Sequence, residues 1–86
     1  MKKIDAPDKV IFICDGKKCG RYSKDILSNF KELIKDNNLK KEVALLYMDC
    51  TGNCKSAPVI SLQPKNIWIG EADERDVKSI FKQYIL

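Results

Sequence analysis

Histidine is absent from all 86 residues of this sequence, although cysteine occurs four times. A zinc finger with mixed Cys and His ligands, a Rieske-type iron–sulfur centre and a nucleophilic Cys–His pair are therefore all excluded. No apolar run approaches the roughly 18 to 20 residues of a membrane-spanning helix. The basic start, Met1–Pro7, lacks the apolar segment of a secretion signal. We therefore expect a cytoplasmic chain with no membrane segment.

Strong charge of either sign is also missing, since the formal net charge is only +4. That bias is too weak to indicate nucleic-acid binding, and no DNA-reading helix or base-stacking aromatic surface is evident. The length predicts a single domain over residues 1–86. A core this small often needs a metal or disulfides for stability. Structural disulfides are rare in a reducing cytosol, so four cysteines indicate metal or redox chemistry.

The four cysteines form two pairs, and each pair follows an apolar run that is typical of a strand. The run before the first pair is continuous and β-branched, which predicts a strand buried on both faces. Two neighbouring parallel strands end at the same edge of a sheet, so the loops after them would meet there. We therefore predict that four thiolates converge on one metal centre. The pairs are Cys14 with Cys19 and Cys50 with Cys54, and the runs are Val10–Ile13 and Val43–Met48.

The residues alone leave four kinds of site open. Two cysteine pairs suit a [2Fe–2S] cluster, because each pair can chelate one iron. The gaps of four and three residues within the pairs are wider than in most zinc knuckles, but a structural zinc is the main alternative. The Cys-x-x-Cys motif of thioredoxins is absent, which disfavours disulfide exchange. The fourth alternative is that all four cysteines are unligated core residues. It is the least favoured, because the cysteines are grouped in pairs at the ends of strands.

The first helix is predicted between the two cysteine pairs. Ser23 is a candidate N-cap, and Asp25 lies in the first predicted turn. Asn37-Asn38 can adopt the left-handed conformation that ends a helix. The apolar residues between these signals share one helical face, and they are Ile26, Leu27, Phe30, Leu33 and Ile34.

A hairpin and a second helix are predicted after the second cysteine pair. Strands within Ser56–Gln63 and Asn66–Gly70 are joined by a short turn, which predicts antiparallel pairing. Trp68 is expected to pack on the C-terminal helix. Asp73 with Asp76 resembles a capping box at the start of that helix. Its predicted apolar face consists of Val77, Ile80, Phe81, Tyr84 and Ile85.

Together these elements predict an α/β (α+β) fold in the order β-α-β-β-β-α, with a four-stranded mixed sheet and helices packed on it. This is the minimal thioredoxin-like arrangement without the helix that normally joins the second and third strands. The second cysteine loop occupies that position in the chain.

The motifs resemble those of the thioredoxin-like [2Fe–2S] ferredoxins. The same module forms the small subunit of respiratory NADH:quinone oxidoreductase and of related hydrogenases and formate dehydrogenases. The resemblance runs from about Lys9 to Leu86, nearly the whole chain. It rests on C-x-G-x-x-C at 14–19, C-x-G-x-C at 50–54, Ala57-Pro58-Val59-Ile60, and Trp68-Ile69-Gly70 before a C-terminal helix.

The resemblance implies a one-electron carrier rather than an enzyme, although such a module can be the small subunit of a larger oxidoreductase. Stand-alone members are often homodimers, and a cis peptide bond before Pro58 is also implied. Fewer than ten residues precede the first predicted strand, which favours a free-standing carrier. The implied ligands of one [2Fe–2S] cluster per chain are Cys14, Cys19, Cys50 and Cys54.

The chain departs from most ferredoxins because it is basic rather than acidic. Lys17, Lys18 and Lys55 lie next to the cysteines, so we expect redox partner proteins with an acidic docking surface. Two other functions remain open from the sequence. One is an iron or redox sensor, or an adaptor with a structural iron–sulfur cluster, and the other is a zinc-stabilised interaction module.

Overall fold

The computed structural model describes residues 1–16, 20–49, 52 and 56–86. Its elements follow the predicted order β-α-β-β-β-α. They are strand β1 (Lys9–Cys14), helix α1 (Gly20–Asp36), strands β2 (Val43–Met48), β3 (Ile60–Gln63) and β4 (Ile67–Ile69), and helix α2 (Glu74–Ile80), which a π-helical turn (Phe81–Ile85) extends.

The four strands form one mixed sheet in the order β2-β1-β3-β4. Strand β1 is parallel to β2, with Cys14 opposite Met48 at the carboxyl ends of both strands. Strand β3 is antiparallel to β1 and to β4. The predicted parallel pair and the predicted hairpin are both confirmed. The parallel pair needs the long crossover that helix α1 provides.

Helix α1 begins at Gly20, earlier than the predicted N-cap. Ser23 lies inside the helix and is 2% exposed. Its hydroxyl donates a hydrogen bond to Asp15 Oδ1 at 3.3 Å, so the N-cap prediction was wrong. A serine before an apolar run usually signals a cap, whereas here its hydroxyl makes a tertiary contact. The predicted helix end is confirmed, because Asn38 has φ of 55° just after the helix.

Both helices cover the same face of the sheet, and the core lies between them. The predicted apolar face of the C-terminal helix is confirmed, with Val77 and Phe81 almost fully buried. Phe30 of α1 is fully buried against the same core. From the sheet, this core takes Ile11, Ile13, Val43, Ile60 and Leu62.

The opposite face of the sheet has no helix over it among the residues that the structure describes. The sequence predicted burial of β1 on both faces, but Val10 and Phe12 on this side are only partly buried. Trp68 was predicted to pack on the C-terminal helix, and this was wrong. Its side chain is 47% exposed and lies outside the core cluster, whereas its neighbours Ile67 and Ile69 pack against the core.

The chain between β2 and the hairpin differs in detail from the prediction. Strand β3 begins only at Ile60, although the sequence predicted a strand from Ser56. The peptide bond before Pro58 is cis, as the resemblance implied, and the one before Pro64 is also cis. The capping box at the start of α2 is confirmed at Asp73. In the described parts of the chain, neither helix combines the length and apolarity that crossing a membrane requires.

Candidate metal centre

Cys14 is the last residue of β1 and is 2% exposed. It forms a small cluster with Val59, against which Met48 and Ala57 pack. Its backbone N–H donates to the carbonyl of Val59 at 3.0 Å. Because Ile13 points into the main core, Cys14 lies on the other face of the sheet. The thiol is therefore held in an apolar setting where β1, β2 and the start of β3 meet.

The bases of the two cysteine loops lie side by side at this edge of the sheet. Strand β1 ends at Cys14 and strand β2 ends at its partner Met48. The next amide, the N–H of Asp15, donates to the carbonyl of Met48 at 2.8 Å. The segments that carry both cysteine pairs therefore leave the sheet from one place, as the parallel pairing predicted.

The other three predicted ligands, Cys19, Cys50 and Cys54, lie outside the described residues. Within the described ranges, no group of three or more Cys, Asp or Glu side chains is close enough to hold a metal ion. Cys14 is the one predicted ligand in those ranges. Ligation by the four cysteines therefore remains a prediction of the sequence.

The first loop is tied to helix α1 by the hydrogen bond from Ser23 to Asp15. Asp15 directly follows Cys14, and its carboxylate is mostly exposed, whereas Ser23 is buried. A buried hydroxyl thus fixes a negative charge beside the predicted ligand. Sequence reasoning missed this contact, because nothing in the local pattern pairs residues that lie eight positions apart.

The second loop is tied to the chain that follows β4. The N–H of Glu71 donates to the carbonyl of Ser56 at 2.6 Å, and the N–H of Ala72 donates to the carbonyl of Pro58 at 3.0 Å. Gly70 makes this approach possible, since a Cβ there would lie 2.8 Å from the Cβ of Ser56. In the sequence, Gly70 is recognisable only as part of the Trp68-Ile69-Gly70 motif.

The described charge at this edge is acidic. The side chains of Asp15 and Asp49, which follow β1 and β2 directly, are both exposed. The predicted basic neighbours, Lys17, Lys18 and Lys55, lie outside the described residues. The sequence predicted the lysines, but not these two carboxylates, as charges beside the site.

The setting of Cys14 fits a metal centre with sulfur ligands. A cysteine thiolate is a ligand for zinc and for the iron of iron–sulfur clusters. The apolar neighbours Val59 and Met48 would limit the access of water to such a centre. This geometry alone accommodates a cluster or a zinc ion.

Comparison with known proteins favours an iron–sulfur cluster over a zinc ion. No family model matches the chain. A curated relative, the 2Fe-2S ferredoxin of Clostridium pasteurianum, is 31% identical over 88 residues, which cover 92% of this chain and 86% of that protein. The chain belongs to the [2Fe–2S] ferredoxins. Because ferredoxins are electron carriers, this membership also confirms the prediction that the protein is not an enzyme.

Solved structures support the fold of this ferredoxin. The wild-type thioredoxin-like [2Fe-2S] ferredoxin from Aquifex aeolicus matches with a TM-score of 0.81 and 25% identity, over 92% of this chain and 86% of that chain. A second structure described as a thioredoxin-like [2Fe-2S] ferredoxin from Aquifex aeolicus matches with a TM-score of 0.83 at 23% identity, over 93% and 82% of the two chains. The predicted thioredoxin-like fold is therefore confirmed.

Proposed function

We propose that this ferredoxin is a one-electron carrier that holds one [2Fe–2S] cluster through its four cysteines. The observation that carries the proposal is the burial of Cys14 at the end of β1, opposite Met48 at the end of β2. Met48 is only two residues before Cys50 in the sequence, so a short stretch of chain suffices for both loops to reach one cluster. The proposed ligands are Cys14, Cys19, Cys50 and Cys54.

A [2Fe–2S] cluster supplies the capacity to take up and release a single electron without bond-making by the protein. In this proposal, the thiolates of Cys14 and Cys19 hold one iron, and those of Cys50 and Cys54 hold the other. The apolar side chain of Val59, packed beside Cys14, keeps water from one side of the site. Hydrogen bonds tie the first loop to β2 and α1 and the second loop to the chain after β4, and these bonds would help to hold the ligands in position.

Charge next to the cluster sets how readily it is reduced, because reduction adds negative charge. The carboxylates of Asp15 and Asp49 disfavour the reduced form, whereas Lys17, Lys18 and Lys55 favour it. We expect Asp15→Asn to raise the reduction potential and Lys17→Ala to lower it. Voltammetry of both variants in the same buffer measures the two shifts. Shifts of equal sign would contradict this electrostatic account.

The central test is the metal content and the redox behaviour of anaerobically purified protein. We expect a red-brown protein with two irons and two sulfides per chain, and an EPR signal from the one-electron reduced form. Single Cys→Ser changes at the four positions should each deplete or alter the cluster signal. A colourless protein with one zinc per chain would instead support a zinc-stabilised module. A cluster that cannot be reversibly reduced would support a sensor or structural role.

We further propose that the redox partners present an acidic docking surface and that the protein works in the cytoplasm, where its thiols stay reduced. The +4 net charge and the lysines next to the cysteines support the first point. Oxidation of the reduced protein by ferricyanide should slow as salt is added, whereas oxidation by a cationic cobalt complex should not.

A charge-matched pair of variants locates the effect. Lys17→Ala with Lys18→Ala should weaken the salt dependence of ferricyanide oxidation. Lys40→Ala with Lys41→Ala removes the same charge before β2, at the end of that strand remote from the cysteines, and should weaken the dependence less. If both pairs of variants weaken the salt dependence equally, the attraction depends on the net charge of the protein and not on the lysines beside the cysteines. The homodimer that the resemblance implies is a separate prediction that does not depend on cluster binding.

A further inference from the structure

A cavity of about 110 Å³ lies at the end of the sheet remote from Cys14. Strand β3 ends there and β4 begins there, next to the start of β1. The π-helical turn Phe81–Ile85 also contributes to the lining of the cavity, and such turns are frequent at functional sites. The lining includes Lys9, Leu62, Lys65, Ile67, Tyr84 and Ile85.

The inner lining of this cavity is apolar. Leu62 and Ile85 are both buried and belong to the main core. Ile67 and Tyr84 pack against that core and are partly buried. An engineered apolar cavity of about 150 Å³ stays free of water and holds a benzene ring. The smaller cavity of this protein therefore suits a branched aliphatic chain of about four carbons.

Lys9 brings a positive charge to this apolar lining. Side chains alternate along β1, so Lys9 lies on the same side of the sheet as Ile11 and Ile13, which enter the core. The Lys9 side chain is partly buried, and its Nζ donates to the carbonyl of Ile85 at 2.7 Å. An ammonium group has three N–H donors, so two of them remain for another acceptor. A partly buried charge is stabilised when an opposite charge accepts its hydrogen bonds.

The charge around the cavity is positive. Lys65 is exposed in the turn between β3 and β4 and lines the cavity, as does the exposed Asp8. Two lysines therefore stand against one aspartate. Among the described residues, the one ion pair joins Arg75 and Asp73, so neither lysine is paired with a carboxylate. This setting favours an anionic ligand over a neutral or cationic one.

We propose that this cavity binds a small carboxylate with a short branched aliphatic chain. The chain enters between Leu62, Ile67 and Tyr84, and the carboxylate accepts hydrogen bonds from Lys9 Nζ. The volume of the cavity limits the length of the chain, and the ammonium group selects the charge of the ligand. The proposal is independent of the electron-carrier function, since five residues of β1, or about 17 Å, separate Lys9 from Cys14.

Titration of isovalerate into isotope-labelled, cluster-loaded protein, followed by NMR, tests the site. A ligand of about seven non-hydrogen atoms should bind with a Kd of about 0.1–1 mM. The backbone amide signals of Ile67 and Ile85 should move most. Isovaleramide has the same chain without the charge, and acetate has the same charge without the chain. Each of these two should bind about tenfold more weakly or worse.

Two matched lysine variants locate the charge that is recognised. Lys9→Gln should weaken the binding of isovalerate about tenfold, because it removes the charge beside the apolar lining. Lys40→Gln is the control, since it removes the same charge at the same end of the sheet but lies outside the cavity lining. It should change the Kd less than about twofold. Ile67→Phe should also weaken binding, because the larger ring occupies the cavity.

Three results would overturn the proposal. The first is that isovalerate moves no amide signal around the cavity. The second is that isovalerate and isovaleramide bind equally well, which would show that the charge is not recognised. The third is an equal loss of binding in Lys9→Gln and Lys40→Gln, which would indicate attraction to the net charge of the protein alone. The first two results come from the wild-type protein, so they decide the question even where a variant fails to fold.

Discussion

Replacing Gly70 by alanine should loosen the second cysteine loop while the rest of the fold stays intact. A Cβ at this position would lie 2.8 Å from the Cβ of Ser56 and 3.1 Å from its carbonyl oxygen. Carbon atoms in favourable contact are about 3.5 to 4.0 Å apart, so Ser56 must move. Ser56 lies two residues after Cys54, and its carbonyl accepts the hydrogen bond from Glu71. The displacement is therefore transmitted to the proposed ligand loop.

Overpacking of this kind costs about 1–3 kcal/mol. In a domain of this size, each kcal/mol of destabilisation lowers Tm by about 4–8 °C. A destabilisation of about 2 kcal/mol in Gly70→Ala should therefore lower Tm by about 8–16 °C. The stronger expectation concerns the cluster. Its loss to an iron chelator, followed anaerobically by visible absorption, should be several-fold faster than in the wild type.

Two variants separate the effect on the loop from general destabilisation. Lys9→Met removes the hydrogen bond from Lys9 Nζ to the carbonyl of Ile85, which measures 2.7 Å and lies at the end of β1 remote from Cys14. We expect it to lower Tm without faster cluster loss. Ser56→Gly removes the Cβ that Gly70→Ala would strike, so the double variant should recover part of the loss. If cluster loss follows Tm alone in all variants, the contact between Gly70 and Ser56 does not position the loop.

The remaining predictions concern the first loop and the start of α2. Ser23→Ala removes the bond to Asp15 and should cost about 1 kcal/mol, read as a Tm about 4–8 °C lower; an unchanged Tm would show that this bond contributes nothing. Two hydrogen bonds from Arg75 to the carboxylate of Asp73 hold the pKa of Asp73 below its usual 3.8. The bond from the Arg75 side chain has the larger effect, and the bond from the Arg75 backbone N–H has the smaller one. The ionised form therefore adds stability above that pH, and the stability is lost as the pH falls through the lowered pKa. The Tm advantage of the wild type over Asp73→Asn should shrink in acid, and a difference constant with pH would contradict this.

Much of the fold follows from local patterns in the sequence. The β-branched run Val10–Ile13 predicts β1, which extends one residue further at each end, and Val43–Met48 predicts β2 with the bounds that the structure has. The left-handed conformation of Asn38 ends α1 where the paired asparagines indicated. These features depend on neighbours along the chain, so the sequence contains their physical cause.

The errors arise where a tertiary contact decides the outcome. Ser23 has the residue type of an N-cap, but its hydroxyl bonds to Asp15, which only the packed helix brings near. Trp68 is flanked by Ile67 and Ile69, so both faces of this strand are apolar in the sequence. Alternation shows that the three residues divide between two faces, but it does not show which face the helices cover.

In the candidate site too, features that depend on local sequence were predicted and features that depend on tertiary contacts were not. The spacing of the cysteines and the motifs around them predicted the family, which the comparisons confirm. The anchors of the loops were not predicted, because Gly70 and Ser56 meet only when β4 has paired with β3. The need for glycine at position 70 can be recognised only when the residue that packs against it, Ser56, is known.

The proposed cluster site depends on the short connection between β2 and β3. Only residues 49–59 join these strands, and the described part of that segment contains no α-helix. The segment instead carries the second cysteine pair.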